Sequence, residues 1–427
     1  MKTFLAILAL APLAASGAIT ALQCGRVVDV RALEVRNEAT IVIDGNRISR
    51  VASAYEAPAG ATVIDLKNQT CMPGLIDLHV HLSGEISPTA FQDSVQFNPP
   101  DDAVRAVANA RKTLMAGFTT VRDLGGSPGV TTALRNGINR GIVPGPRMQA
   151  AGFITSTGGH GDPTNSLRAD LMGQPGVERG IINGPYEARR AVRQKYKEGY
   201  DLIKVATTGG VLSMAKSADA PLLAEDELAA IVATAKDYGY NVAVHAHGAD
   251  GMKRAIRAGV TSIEHGTYMD DEAMSLMKQH GTWYVPTISA GNFVAEKSKI
   301  EGYFPDIVRP KAAAVGPQIL GTFSRAYKAG VKIAFGTDQG VAPHGQNARE
   351  FEYMVQGGMP PLEAIRAATL FAATVMGWDD RLGALEAGKL ADIVAVPDDP
   401  RQDISTMSRV SFVMKDGAVV RQGAIAR

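Results

Sequence analysis

The stretch Pro73-Gly74-Leu75-Ile76-Asp77-Leu78-His79-Val80-His81 decides the fold. Pro-Gly punctuates the chain, and a short, mostly apolar run then ends in two histidines two residues apart. Side chains alternate between the two faces of a strand, so His79 and His81 point the same way. Seven further apolar runs follow: Thr119 to Asp123, Met148 to Ile154, Leu202 to Ala206, Asn241 to His245, Ser262 to His265, Trp283 to Thr287 and Lys332 to Phe335. Helical patterns separate most of them, as at Asp101 to Met115, Pro185 to Glu198, Ala224 to Tyr238, Asp250 to Ala258 and Asp270 to His280. Alternating strand and helix makes a parallel sheet, and eight rounds in about 300 residues predict a closed (β/α)8 barrel over 73–382. A doubly wound sheet is the rival, but no GxGxxG turn follows a strand.

Outside the barrel the pattern is short and alternating. Leu22 to Val30, Ala39 to Ile43 and Arg47 to Val51 read as strands, as do Ala391 to Val396, Val410 to Lys415 and Ala418 to Arg421. Neither end can bury a core alone. Residues 22–72 and 383–427 are therefore expected to form one small β-sandwich.

Residues 1–21 read as a cleaved leader, with Lys2, the apolar run Phe4 to Ala15, and then Ser16, Gly17 and Ala18. The run is too short for a membrane span and contains Pro12, so no stable anchor is expected. The expected destination is the periplasm or the medium. The only two cysteines, Cys24 and Cys71, can pair in such a compartment or serve as two small buried hydrophobes. The 44 basic and 43 acidic residues nearly cancel, so nothing points to nucleic acid.

Eight histidines carry the chemistry. His79 and His81 end the first barrel run, His245 and His247 the fifth and His265 the sixth, while Asp338 follows the eighth. Barrel enzymes gather functional groups at the carboxyl ends of their strands, so these residues converge as candidate metal ligands. Lys204 ends the fourth run. Beside cations its amine is disfavoured as an ammonium, and a neutral amine can capture carbon dioxide as a carbamate whose oxygens bridge two metals. That would join a site of His79 and His81 to one of His245 and His265. His160 stands in a glycine-rich loop after the third run and is a candidate substrate contact. Val211, Ser213 and His344 are further ones.

The first-strand stretch, Lys204, His245 and His265, and Gly336-Thr337-Asp338 together resemble the amidohydrolase superfamily. The likeness runs to Leu385-Glu386-Ala387-Gly388-Lys389-Leu390-Ala391-Asp392-Ile393-Val394. Thr157-Gly158-Gly159-His160-Gly161, Val244-His245-Ala246-His247-Gly248 and Ile263-Glu264-His265-Gly266 are most similar to its imidazolonepropionase-like, Xaa-Pro dipeptidase-like branch. That branch includes carboxypeptidase-like dipeptidases and ochratoxin-hydrolysing amidases. The resemblance implies a carboxylated Lys204, two zinc ions and a homo-oligomer, often an octamer.

The expected reaction is attack by a bridging hydroxide on the amide of an N-acyl amino acid or dipeptide, ochratoxin A included. Asp338 would be both ligand and proton acceptor, and His247 a donor to the oxyanion or to a ligand. A one-metal imidazolonepropionase or deaminase is the alternative, and it has no need of a bridging carbamate. A zincin is excluded because no His-Glu-x-x-His occurs. A noncatalytic barrel would be expected to lose ligands, and all six are kept.

Overall fold

The computed structural model describes residues 19–168, 170 and 173–423. The leader expectation falls mainly on residues 1–18, outside the described residues. Ile19 to Ala21, at the edge of that stretch, already belong to a strand, and Ala21 is fully buried.

Both chain ends build one accessory unit. Its strands are β1 (Ile19–Asp29), β2 (Glu34–Asp44), β3 (Arg47–Ala52) and β4 (Thr62–Pro73) from the first end. The barrel strands follow as β5 (Leu75–Val80), β6 (Phe118–Asp123), β7 (Arg147–Ser156), the two-residue β8 (Ile181–Ile182), β9 (Leu202–Ala206), β10 (Val242–Ala246), β11 (Ser262–His265) and β12 (Trp283–Val285). The second end supplies β13 (Ile393–Val396), β14 (Phe412–Lys415) and β15 (Ala418–Gln422).

The accessory strands form one hydrogen-bonded sheet in the order β15-β14-β13-β4-β1-β2-β3. Its core holds Leu22, Ile41, Ile43 and Leu66 beside Ile393, Phe412 and Met414, so each end supplies the apolar partners the other lacks. Cys24 and Cys71 are bridged and buried in this core. Asp416 and Gly417 both have positive φ, which is the hairpin turn their sequence predicts between β14 and β15. At the floor of the barrel Arg147 is bonded to Asp392 and Asp416, tying the two units together.

The barrel strands are parallel, in the order β12-β11-β10-β9-β7-β6-β5, with β8 beside β7. Helices such as Pro99–Met115, Pro185–Lys197 and Glu225–Asp237 pack outside them, close to where periodicity predicts. The eighth strand expected at Lys332 to Phe335 is a correction, because that run forms only one isolated bridge, Tyr284 with Ile333, and a second, Val80 with Gln339, lies beyond it. It still closes the barrel. Leu78 N donates to Phe335 O and Asp338 N to His79 O on one side, while Ala334 N donates to Tyr284 O on the other. The ladder breaks because Phe335 N turns away to Ala367 O and because Asp338 adopts a left-handed backbone. Among the described residues no helix is long and apolar enough to cross a membrane.

Candidate metal centre

The predicted ligands meet at the carboxyl ends of β5, β9, β10 and β11 and the closing segment. The ligand atoms of His79, His81 and Asp338 all lie within 4.8 Å of one another. Lys204 Nζ is 3.4 Å from His79 Nε2. The rings of His245 and His265 are 4.7 Å apart, and His79 and His265 are 5.0 Å apart. His247 stacks on His265, also at 5.0 Å. Four strand ends and the closing segment therefore bring the candidate ligands together, with Lys204 beside His79.

The hydrogen bonds fix which nitrogen is free in three of the rings. His79 Nδ1 donates to Glu264 Oε2 at 3.0 Å, and His81 Nδ1 donates to Gly125 O at 2.6 Å. His245 Nε2 donates to Gly209 O at 2.9 Å. A carbonyl or carboxylate can only accept, so the lone pairs are left on Nε2 of His79, Nε2 of His81 and Nδ1 of His245. Two of those lone pairs face Asp338 Oδ1, at 3.4 Å from His79 and 3.2 Å from His81. Asp338 Oδ1 is buried without a well-formed hydrogen bond. Three acceptors facing one another in a dry site repel unless a cation stands among them, so the donor set fits a metal.

The electrostatics agree. Burial holds His79, His245 and His265 well below the usual histidine range, and His247 down at about 4, so these imidazoles are neutral, as ligation requires. Burial also lowers Lys204 to about 8. His81 moves the other way. Burial opposes its charge, but the Asp338 carboxylate 3.2 Å away outweighs that and raises it. Backbone strain gathers here too, since His265, its hydroxyl partner Thr287 and Asp338 all have left-handed φ, at 69°, 53° and 59°. Such geometry costs of order 1–3 kcal/mol per residue and persists where surrounding structure enforces it.

The ligands floor a cavity of about 270 Å³ whose walls are apolar, including Leu124, Phe153, Val211, Leu212, Val294 and Ile319. His160 enters from the glycine-rich loop and stacks on His245 at 4.0 Å. Burial lowers it to about 3, so it is neutral. Ser213 Oγ is 2.6 Å from His160 Nδ1, which makes Ser213 a holder of His160 and not a wall residue. Gly210 is required for this approach, because a Cβ there would come within 2.1 Å of His160 Nδ1. His344, also expected among the substrate contacts, stands apart from these residues. It bonds Gly84 O and lines a separate depression with Lys112 and Arg421, outside the histidine cavity.

Gly125-Gly126-Ser127-Pro128-Gly129, between β6 and the helix Val130–Asn139, has the Gly-x-Ser-x-Gly spacing at a strand-to-helix turn, where the sequence reading expects none. Ser127 Oγ donates to Asp102 and has no histidine partner, so it is not a catalytic elbow. Sequence reasoning also missed three buried acids. Asp77 accepts from Thr337 Oγ1 at 2.6 Å and Asn347 Nδ2 at 2.8 Å, pinning β5 to the segment that carries Asp338. Asp123 accepts from Leu82 N and Gly125 N and so fixes the carbonyl that orients His81. Glu264 orients His79. For Asp77 and Glu264 the signal was a polar side chain inside an otherwise apolar strand.

Histidines, a buried lysine and an aspartate at the mouth of a parallel barrel define a hydrolase of the amidohydrolase class. The chain belongs to the amidohydrolase family, which it matches over residues 70–420. It is 33% identical to ochratoxinase of Aspergillus niger, covering 94% of this chain and 87% of that one. Among solved structures it is similar to a Xaa-Pro dipeptidase with methionine bound in the active site, at 51% identity and a TM-score of 0.92, covering 95% of this chain and all of that one. A prolidase complexed with N-methylphosphonate-L-proline matches at 31% identity and a TM-score of 0.87, over 95% and 100% of the two chains.

Proposed function

We propose that this chain is an exported, two-zinc amidohydrolase cleaving the amide bond of N-acyl amino acids or dipeptides, ochratoxin A among them. One observation carries the proposal: the ligand atoms of His79, His81 and Asp338 converge beside buried Lys204, with the His265 ring 5.0 Å from His79 and the His245 ring 4.7 Å from His265. His79, His81 and Asp338 would hold one zinc and His245 and His265 the other, with Lys204 as the carbamate joining them. When bound, the metal pair supplies an activated water and polarises the substrate carbonyl.

The rest falls to the chain's own side chains. Asp338 accepts the proton of the attacking water and returns it to the leaving nitrogen, which could not otherwise depart. His247 and His160 are neutral and stand at the cavity edge, where a ring N–H can meet the carbonyl oxygen as it gains charge. The apolar walls suit a hydrophobic side chain beside the scissile amide. The relatives' names, an ochratoxinase and a Xaa-Pro dipeptidase, support amide substrates of this kind. The Cys24–Cys71 bridge supports export, since oxidising compartments permit disulfides. Exposed Phe91, Val95 and Phe97 support self-association as a homo-oligomer.

The test is hydrolysis of a panel of N-acyl amino acids, dipeptides and ochratoxin A by the zinc-restored protein, with zinc counted per chain. Cleavage of amides next to hydrophobic residues with two zincs is expected. One tight zinc and activity confined to a cyclic imidazolone would replace the proposal with the one-metal alternative.

A further inference from the structure

We propose that Arg122 and Glu264 are positioning residues that hold His79 in its metal-binding tautomer, an inference that rests on the two-metal reading above. The two residues reach toward each other across the inside of the barrel, from β6 and from β11, with β7, β9 and β10 between them in the sheet. Both are fully buried, as are Ser262 and His79. Arg122 Nη2 donates to Glu264 Oε1 at 2.7 Å, and Ser262 Oγ donates to the same oxygen at 2.6 Å. The other carboxylate oxygen accepts from His79 Nδ1 at 3.0 Å. Arg122 is itself fixed by Nε to Leu78 O at 2.7 Å and by Nη1 to Ser262 Oγ at 3.2 Å.

A barrel interior is ordinarily filled by branched apolar side chains. A buried ion pair there gains little or nothing over such packing, so stability does not explain it. Its placement does. One carboxylate oxygen is taken by Arg122 and Ser262, and only the other is left for His79. That oxygen accepts the Nδ1 proton, keeps the lone pair on Nε2 and makes Nε2 more basic toward a cation. Arg122 is what stops the carboxyl group from turning.

The geometry makes an unusual demand of Glu264→Gln. Arg122 has only donors, so it would hold the amide oxygen. The amide NH2 would then face His79 Nδ1 and force the ring proton onto Nε2, blocking ligation. Removing Arg122 as well frees the amide to turn its oxygen back to His79. The double variant is therefore expected to recover what the single one loses, an outcome that simple loss of packing cannot give.

The experiment is titration of metal-stripped full-length protein with zinc, and with cobalt followed by its visible absorption, for four chains: wild type, Glu264→Gln, Arg122→Met/Glu264→Gln and Arg122→Met/Glu264→Met. Circular dichroism checks each fold. In Glu264→Gln one of the two metals is expected to weaken by about 10- to 100-fold while the other is unchanged. Arg122→Met/Glu264→Gln is expected to regain most of that loss, and Arg122→Met/Glu264→Met, with no acceptor for His79, to show it again. If Glu264→Gln does not fold, the two double variants carry the comparison, because each removes the charge pair whole. Wild-type affinity in Glu264→Gln, or equal affinity in the two double variants, overturns the proposal. A wild-type chain that takes up no second metal sinks the two-metal reading first, and this inference with it.

Discussion

Gly336→Ala tests how tightly the closing segment must sit against β5. A Cβ at Gly336 would stand 2.4 Å from Val285 Cγ1, 3.1 Å from His79 Cβ and 3.2 Å from His79 N. Carbon atoms rest at about 3.5–4.0 Å, so the segment must back away by about 1 Å or Val285 must yield. Val285 is locked among Ile76, Leu78 and Ala334, and the barrel gives it little room. The segment carries Asp338, whose Oδ1 is now 3.4 Å from His79 Nε2. Overpacking of this kind costs about 1–3 kcal/mol, and a misplacement of about 1 Å at reacting groups can cost about 100-fold in rate. Kinetics on an acyl-phenylalanine substrate with added zinc, beside a thermal melt, measure both. Gly336→Ala/Val285→Ala, which deletes the nearest clashing atom, is expected to regain part of the rate. A Gly336→Ala protein with wild-type kcat/KM and melting temperature would refute the reasoning.

Three further outcomes are expected. Replacing Cys24 and Cys71 together by alanine opens a link between residues 47 apart and should lower stability by about 4 kcal/mol on the chain-entropy account, leaving kcat unchanged. Equal urea midpoints for the two proteins would contradict it. Burial raises the Glu350 carboxyl to about 7, so the folded chain holds that proton more tightly than the unfolded one. Its contribution is full below the ordinary glutamate pKa and is lost as pH rises through 7, a change on the order of 3 kcal/mol that Glu350→Gln should remove. Parallel pH–stability curves for the two proteins would exclude it. His160→Ala should lower kcat/KM by about tenfold or more, whereas His344→Ala should leave it nearly unchanged. A larger effect at His344 would return that residue to the substrate site.

The barrel was legible because its strands are short apolar runs ending in chemistry, and seven of the eight runs form strands close to where they read. The eighth was not, since the fate of Phe335 N depends on Ala367, 32 residues further on. β4 was passed over because Asp65, Lys67, Asn68 and Gln69 hide a strand that is central to its sheet. The convergence of the candidate ligands was legible for a related reason: histidines at strand ends announce themselves one at a time. The groups that orient them did not. Glu264 meets Arg122 from 142 residues away, and Asp77 meets Thr337 from 260, pairings that only the closed barrel creates. His344 follows the closing segment in sequence but lines a different depression, a placement set by the loop's path and not by its spacing.

The central claim concerns Lys204, and carbon-13 NMR of protein reconstituted with zinc and labelled bicarbonate addresses it most directly. One carbamate resonance with two zincs per chain, both lost in Lys204→Met, is the result the account requires. A silent carbonyl region alongside a single bound zinc would contradict it.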